Sequence, residues 1–264
     1  LAGFSLQTSA RRQPRLAEPH AARPQIDIHS MTAGYFYSIL EGSLLSIQVA
    51  LGALVVAVVL GLAGAAAKLS THQPLVWLGT IYSTIIRGIP DLVLMLLIFY
   101  GGQIGLNAML ESMGYMDYVE INPFAAGLMT IGFIYGAYMT ETFRGAIMAI
   151  PTGQAEAGLA YGMGQTRVFF TIVLPQMVRL ALPGFTNNWL VLIKATALVS
   201  ILGLPDMTYL AKQAGAAARG QTPNAPLLFM AFAAVIYLVF TTVSLVALRQ
   251  LEKRYTMGVK RGNF

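Results

Sequence analysis

The run EAGLAYGMGQTRVFFTIVLP, Glu156 to Pro175, lies between long apolar segments, and its reading decides how the rest of the chain is organised. Its first half is punctuated by Gly158, Gly162 and Gly164, and its second half turns apolar. Ordering such a segment costs backbone entropy that its own few apolar side chains do not repay, so it needs a partner to hold it. The spacing is specific: Glu156 and Ala157, then Gly162, then Ile172, Leu174 and Pro175. Gly158 weakens a helix at its position by roughly 1 kcal/mol relative to Ala. Gly162 is placed to end a short helix, because glycine is favoured just past a helix C-terminus.

Composition points the same way. Of 264 residues, 56% are hydrophobic and only 11% charged, with a mean hydropathy of +0.64. Soluble domains are about 25% charged, so the chain is predicted to be an all-α integral membrane protein with a single membrane domain over residues 31–264. The absence of Cys excludes disulfides and any Cys-based metal site or nucleophile. The net charge of +6 reads as loop charge that sets topology in a lipid bilayer, not as affinity for nucleic acid.

Length marks the spans, since crossing a bilayer takes about 20 apolar residues. Ser43–Ala67 and Ala225–Leu248 are free of charge. Phe124–Thr140 is uncharged and continues past Glu141 and Arg144. Leu75–Leu106 is interrupted by Arg87-Gly88-Ile89-Pro90-Asp91, and Leu180–Leu204 only by Lys194. These segments predict five transmembrane helices.

Basic loops stay on the cytoplasmic side. Lys68 follows the first span, Arg144, Arg167 and Arg179 surround the glycine-punctuated segment, and Arg249, Lys253, Arg254, Lys260 and Arg261 lie in the tail. The loop 107–123 carries Glu111, Asp117 and Glu120 and no basic residue. The N-terminus is therefore predicted outside and the C-terminus inside; Lys212 and Arg219 oppose this assignment and are outnumbered. Residues 1–30 carry four Arg on the wrong side and helix-breaking Pro14, Pro19 and Pro24. They are expected to be a disordered N-terminal extension that need not be native, with Met31 a natural start.

Ionisable residues inside a membrane are costly and usually functional. Asp91 follows Pro90, and Pro is favoured where a helix begins, so a half-helix is predicted to start there near mid-membrane. In other transporters such a broken helix receives a substrate carboxylate at its N-terminal end. Asp91 would add an acceptor for a substrate cation; the alternative is that it only caps the half-helix or pairs with Arg87. Tyr138, Glu141 and Arg144 share one helix face. Glu141 either anchors the helix end by pairing with Arg144 or lines a pathway, with Tyr138 able to stack on a guanidinium. Lys194 is expected to partner a buried acid more readily than a ligand.

The Glu156–Pro175 spacing resembles the EAA loop (about 145–180) of ATP-binding cassette importer permeases, with Gly158 where Ala is usual. The runs RGIPDLVL (Arg87–Leu94), GFIYGAYMTETFRGA (Gly132–Ala146) and NNWLVLIKATALVSILGL (Asn187–Leu204), in that order, are similar to permease subunits of polar amino acid importers, especially those for histidine, lysine, arginine and ornithine. The likeness covers nearly all of residues 31–264. It implies a type I importer permease fold in the bacterial inner membrane. It also implies a second, homologous permease subunit, an ATPase subunit dimer and a periplasmic substrate-binding protein. Glu156, Ala157, Gly158, Gly162, Ile172, Leu174 and Pro175 would form the surface that docks the ATPase. Asp91, Tyr138, Glu141 and Lys194 would lie along the substrate pathway, and transport would proceed by alternating access.

The chain holds no Gly-x4-Gly-Lys-Ser/Thr phosphate loop, no His-Glu-x2-His pair and no Gly-x-Ser-x-Gly elbow. ATP and Mg are thus expected on the partner ATPase, with no cofactor, metal or catalytic residue here. Two rival readings are a proton-coupled secondary transporter using Asp91 and Glu141, and a membrane-embedded acid–base enzyme. Neither needs the Glu156–Pro175 segment.

Overall fold

A computed structural model describes residues 28–220 and 222–256, with side chains from residue 33 onward, and every regular element among them is helical. The expected extension lies outside the described residues, except that residues 28–30 already belong to the first helix. That helix, α1 (Ile28–Lys68), packs along α4 (Pro123–Met148) in the principal seam of the molecule. Small residues set the seam. A Cβ placed on Gly132 would lie 2.5 Å from Val56 Cβ and 3.1 Å from the Ala53 carbonyl oxygen. One placed on Gly61 would lie 2.4 Å from Met139 Cβ. Helices in lipid gain nothing from hiding apolar side chains from each other, so close backbone approach at small residues is what joins them. Gly52 faces Leu128 and Gly64 faces Thr140, so numbers rise together and α1 and α4 run parallel.

Between them the chain returns through α2 (Gln73–Gly88) and α3 (Asp91–Ser112), broken at Ile89-Pro90. Both residues of the break are extended (ψ 140° and 134°), and Pro90 is the N-cap of α3. Steric conflict with the proline ring keeps the residue before it out of the helical region. Contacts with α4 descend in order: Ser83 meets Glu141, Arg87 meets Tyr138, Asp91 meets Tyr135, and Gln103 bonds Ile121 just before α4 begins. The two helices therefore form one path antiparallel to α4. Gln103 and Asn107 both bond the Val119 backbone and hold the acidic loop down, and the Asn122 side chain caps α4 through the Phe124 N–H (2.8 Å).

After α5 (Thr152–Ala160) and α6 (Gln165–Val168), a π turn (Phe169–Val173) leads into α7 (Leu174–Ala195) and a 3-10 segment (Thr196–Leu202). Pro175 lacks an N–H and its ring would strike the carbonyl four residues back. The wide turn just ahead of it, where the Leu174 N–H reaches the Phe169 carbonyl, is the helix's accommodation. The expected coupling segment at about 145–180 is mostly helical, interrupted at residues 149–151 and 161–164. α7 runs antiparallel to α4: Gly184 and Asn188 meet Thr142, while Val199 meets Gly127. After α8 (Met207–Ala218), α9 (Ala225–Thr256) lies parallel to α1, with Phe36 against Phe229 and Phe232.

The start of α1, the acidic loop and α8 thus share one end of the bundle. Lys68, α5, α6 and the end of α9 share the other. Four described helical stretches are long and apolar enough to cross a membrane: 33–68, 91–112, 165–202 and 225–255. α4 has 26 residues, which is length enough, but it is the inner helix, with most positions between Gly127 and Ala146 buried although Met129 and Phe133 are exposed, and it is rich in Gly, Tyr and Thr. Its neighbours are protein, so its composition need not match lipid.

Candidate functional site

At the α5 end, the resembling motif forms a compact helix–turn–helix. Glu156 and Ala157 are exposed, and Glu156 makes no ion pair among the described residues. Gly162 has φ +81°, a left-handed conformation that costs glycine little. Its N–H bonds the Leu159 carbonyl (2.9 Å) and the Met163 N–H bonds the Gly158 carbonyl (3.1 Å), the two bonds of a Schellman cap. Gly162 therefore does terminate the short helix.

Gly158 is buried, and a Cβ there would sit 2.7 Å from Ile172 Cδ1 and 3.1 Å from Val168 Cγ2. The departure at Gly158 is thus matched by Ile172, whose side chain occupies the space an alanine methyl would take. Leu174 packs on the core, and Pro175 opens α7. A Gln176–Gln154 side-chain bond (2.6 Å) ties α5 to α7. Around α5 the apolar side chains of Leu159, Tyr161, Phe169 and Phe170 stand exposed, Tyr161 at 90%. Together they make an exposed apolar patch beside the carboxylate of Glu156.

The second cluster lies at the α2–α3 break. Asp91 is half-buried and its Oδ2 accepts the Tyr135 hydroxyl (3.1 Å). Tyr138 stacks on Tyr135 (5.5 Å between ring centroids), and the exposed Arg87 guanidinium lies 5.6 Å from the Tyr138 ring centre. Arg87 and Asp91 do not pair; Arg87 takes the ring and Asp91 the hydroxyl. The Tyr135 partnership could have been suspected from its place one turn before Tyr138 on the same face.

Glu141 pairs with Arg144, as one reading expected: Arg144 Nε to Oε2 is 3.0 Å. The other oxygen, however, accepts Lys68 Nζ and the Ser83 hydroxyl (3.0 Å), and Lys68 also donates to Ser83 (2.9 Å). Both carboxylate oxygens are thus engaged within the chain, and Lys68 and Ser83 are members that sequence reasoning missed.

Lys194 is not brought to either cluster. It is exposed in a groove between α7 and α9 with Leu190, Leu238 and Thr241, and no ion pair holds it among the described residues. The buried acid expected beside it is absent there. No group of His, Cys, Asp and Glu side chains suited to a metal occurs among the described residues. At the opposite end of the bundle, Asp206 caps α8 through the Tyr209 N–H (2.9 Å), and burial pushes its carboxyl above the ordinary range.

Comparison with known proteins fits this geometry. Residues 38–257 match the family described as binding-protein-dependent transport system inner membrane component. The chain is 49% identical over 233 residues to the histidine/lysine/arginine/ornithine transport system permease protein HisQ of Salmonella typhimurium, covering 88% of this chain and 100% of that one. It is 37% identical over 229 residues to the octopine transport system permease protein OccQ of Agrobacterium tumefaciens, covering 87% and 94%. Among solved structures, an amino acid ABC transporter with histidines superposes with a TM-score of 0.68 at 28% identity, covering 87% of this chain and 99% of that chain. The MetNI methionine ABC transporter shares the fold at a TM-score of 0.63 and 15% identity, covering 86% and 98%.

Proposed function

The chain belongs to the binding-protein-dependent transport system inner membrane components, the permease subunits of ATP-binding cassette importers for amino acids, and from that premise we propose that its cargo is a basic amino acid: histidine, lysine, arginine or ornithine. It has the all-helical type I permease fold, and it is a transport subunit, with ATP hydrolysis left to a separate ATPase. The observation that carries the cargo reading is identity of 49% and 50%, along the whole length of the relatives, to permeases named for these amino acids.

The proposed topology has five crossings: α1, the broken α2–α3 path, α4, α6–α7 and α9. The alternating directions of these segments support it, because α1, α4 and α9 run one way and the others return. Basic residues gather at the α5 end, which is therefore cytoplasmic. The N-terminus then lies outside and the C-terminus inside. The proposed partners are a second permease subunit, an ATPase dimer holding ATP and Mg, and a periplasmic binding protein.

In the proposed mechanism, closure of the ATPase dimer moves α5, held by Glu156 and the exposed aromatic side chains around it. The bundle rocks between inward-open and outward-open. Cargo passes Asp91, where the start of α3 offers unpaired N–H groups to a carboxylate and Asp91 accepts a side-chain cation. Tyr138, whose ring already holds Arg87, flanks this path. Glu141, saturated by Lys68, Ser83 and Arg144, supports this path without holding cargo. Lys194, uncovered between α7 and α9, suits contact with the second permease.

The test is arginine uptake by proteoliposomes containing the complex, with assembly followed on a sizing column. Asp91→Asn keeps the Tyr135 hydrogen bond and removes the charge. It is expected to lower arginine-stimulated transport tenfold or more, on the order of what loss of a charged partner costs, while assembly stays intact. Wild-type uptake by this variant would move the cargo site to another subunit. Stimulation by neutral amino acids alone would refute the cargo class.

A further inference from the structure

The Lys68–Ser83–Glu141–Arg144 cluster is built like a joint. Lys68 is the last residue of α1, Ser83 stands in α2, and Glu141 and Arg144 stand in α4. One carboxylate is the meeting point of all three helices. Oε1 takes Lys68 and Ser83, and Oε2 takes Arg144. The groups are largely withdrawn from water, with side-chain exposures of 13% for Lys68, 19% for Glu141 and 33% for Arg144. Screening is reduced at such half-buried positions, so the charge-assisted bonds there are stronger than those of a fully exposed pair. Backbones approach closely beside it: a Cβ on Gly79 of α2 would lie 2.7 Å from Lys68 Cγ and 3.2 Å from the Gly64 carbonyl oxygen.

The cluster lies between the two sites already described. On one side, Arg144 also reaches the sulfur of Met148 (2.9 Å), the last residue of α4, and only Ala149, Ile150 and Pro151 separate that helix from α5. On the other side, Arg87 lies one turn beyond Ser83 in α2 and sits over the Tyr138 ring, one turn before Glu141 in α4. Two residues beyond Arg87 the backbone leaves the helix at Ile89-Pro90 and restarts at Asp91, bonded to Tyr135. α5 is thus joined through three residues to the end of α4, and α4 contacts α2 at two successive levels. The break is where α2 can turn relative to α3.

We propose that Lys68, Ser83 and Glu141, with Arg144, are positioning residues that transmit the movement of the ATPase-docking helix α5 to the α2–α3 break, and that they touch neither cargo nor ATPase. This rests on the importer reading above. Contacts between two sites are not by themselves proof of coupling, and the physical requirement is an element whose two arrangements both sites bias. The break supplies that element, and the shared carboxylate makes α1, α2 and α4 move as one body on its α5 side.

The experiment uses the complete complex in proteoliposomes with its binding protein, reading cargo-stimulated ATPase activity, basal ATPase activity and half-saturating cargo concentration. Three variants are compared: Glu141→Gln, the double variant Lys68→Met with Glu141→Leu, and the conservative Lys68→Arg. The apolar pair is included because buried ion pairs can be replaced by packed apolar side chains without loss of stability. In Glu141→Gln and the double variant, stimulation is expected to fall about five- to a hundred-fold, the usual range for coupling between sites. Basal hydrolysis, assembly and half-saturation should hold, and Lys68→Arg should retain stimulation. Wild-type stimulation in the double variant would overturn the proposal, as would a change confined to half-saturation, which would make Glu141 a cargo ligand. Failure of both Glu141 variants to assemble would also overturn it, leaving a purely structural cluster. An unmodified complex that shows no cargo-stimulated hydrolysis would refute the importer reading instead.

Discussion

Glycine does opposite things in two parts of this molecule. Along the α1–α4 seam, Gly61, Gly64, Gly132 and Gly136 are present because another helix occupies the space of a side chain; every Cβ placed there would come within 3 Å of a neighbouring atom. Around α5, Gly153, Gly162 and Gly164 have nothing within 4 Å. There only Gly162 is required by its backbone conformation (φ +81°), and the surroundings of all three are left open. The seam is closed by helix on helix, whereas the glycines around α5 face open space. Gly158 belongs to the seam type although it lies in the α5 segment, since Ile172 and Val168 close over it.

Substitutions separate the two kinds of site. The largest loss is expected for Gly132→Val, which drives a branched side chain into Val56 and the Ala53 carbonyl. Overpacking costs typically about 1–3 kcal/mol and more where backbone cannot yield. Folded protein recovered from membranes, and its thermal midpoint, should both drop sharply. A near-native midpoint would mean that α1 and α4 separate readily.

Gly162→Ala comes next. It meets no neighbour, but a left-handed conformation costs a non-glycine residue about 1–2 kcal/mol. The bundle should stay folded while α5 frays, so ATPase co-purification should fall. Gly162→Asn is expected to recover much of it, because Asn tolerates this conformation. Equal loss in both variants would show that the partner rejects any side chain there.

A smaller effect is expected for Gly158→Ala, where helix propensity favours Ala by roughly 1 kcal/mol and the contact with Ile172 opposes it. Stability should change little, and adding Ile172→Val should make the pair stabilising. A large loss from Gly158→Ala alone would place this glycine fully with the seam. The smallest change in stability is expected for Glu156→Lys, within about 0.5 kcal/mol, as for an exposed residue without a partner. Its whole effect should appear as uncoupled or detached ATPase, so normal ATP-driven uptake would remove Glu156 from the docking surface.

Features carried by local rules were legible in the residues themselves. The break before Pro90 and the helix end at Gly162 follow from local backbone rules, and both were found at the predicted places. The long apolar stretches of α1 and α9 needed only counting. The Arg144–Glu141 pair followed from helix spacing. The short helix ended by Gly162 was legible, but the helical course from Gln165 to Val173, with its π turn, was not, because no local signal announced it. The Arg87–Asp91 pairing failed because the break turns those side chains to different partners on α4.

What the sequence alone determined was the kind of protein this is. Its charge scarcity and apolar lengths describe a membrane protein, and the resemblance of the Glu156–Pro175 spacing to the EAA loop implies a permease that an ATPase drives, because each is a property of neighbouring residues. Only the tertiary structure decided how its charges are used. Lys68 and Glu141 stand 73 positions apart and Tyr135 and Asp91 stand 44 apart, so no local pattern joins them. The close glycine seam fixes the axial register of α4 against α1, and α2–α3 then lies along α4, which sets Lys68 and Ser83 beside Glu141 and Asp91 beside Tyr135. The same packing left Lys194 facing outward without a buried acid. Electrostatic partnership depends on distance in space, and in this chain distance in space is set by helix packing.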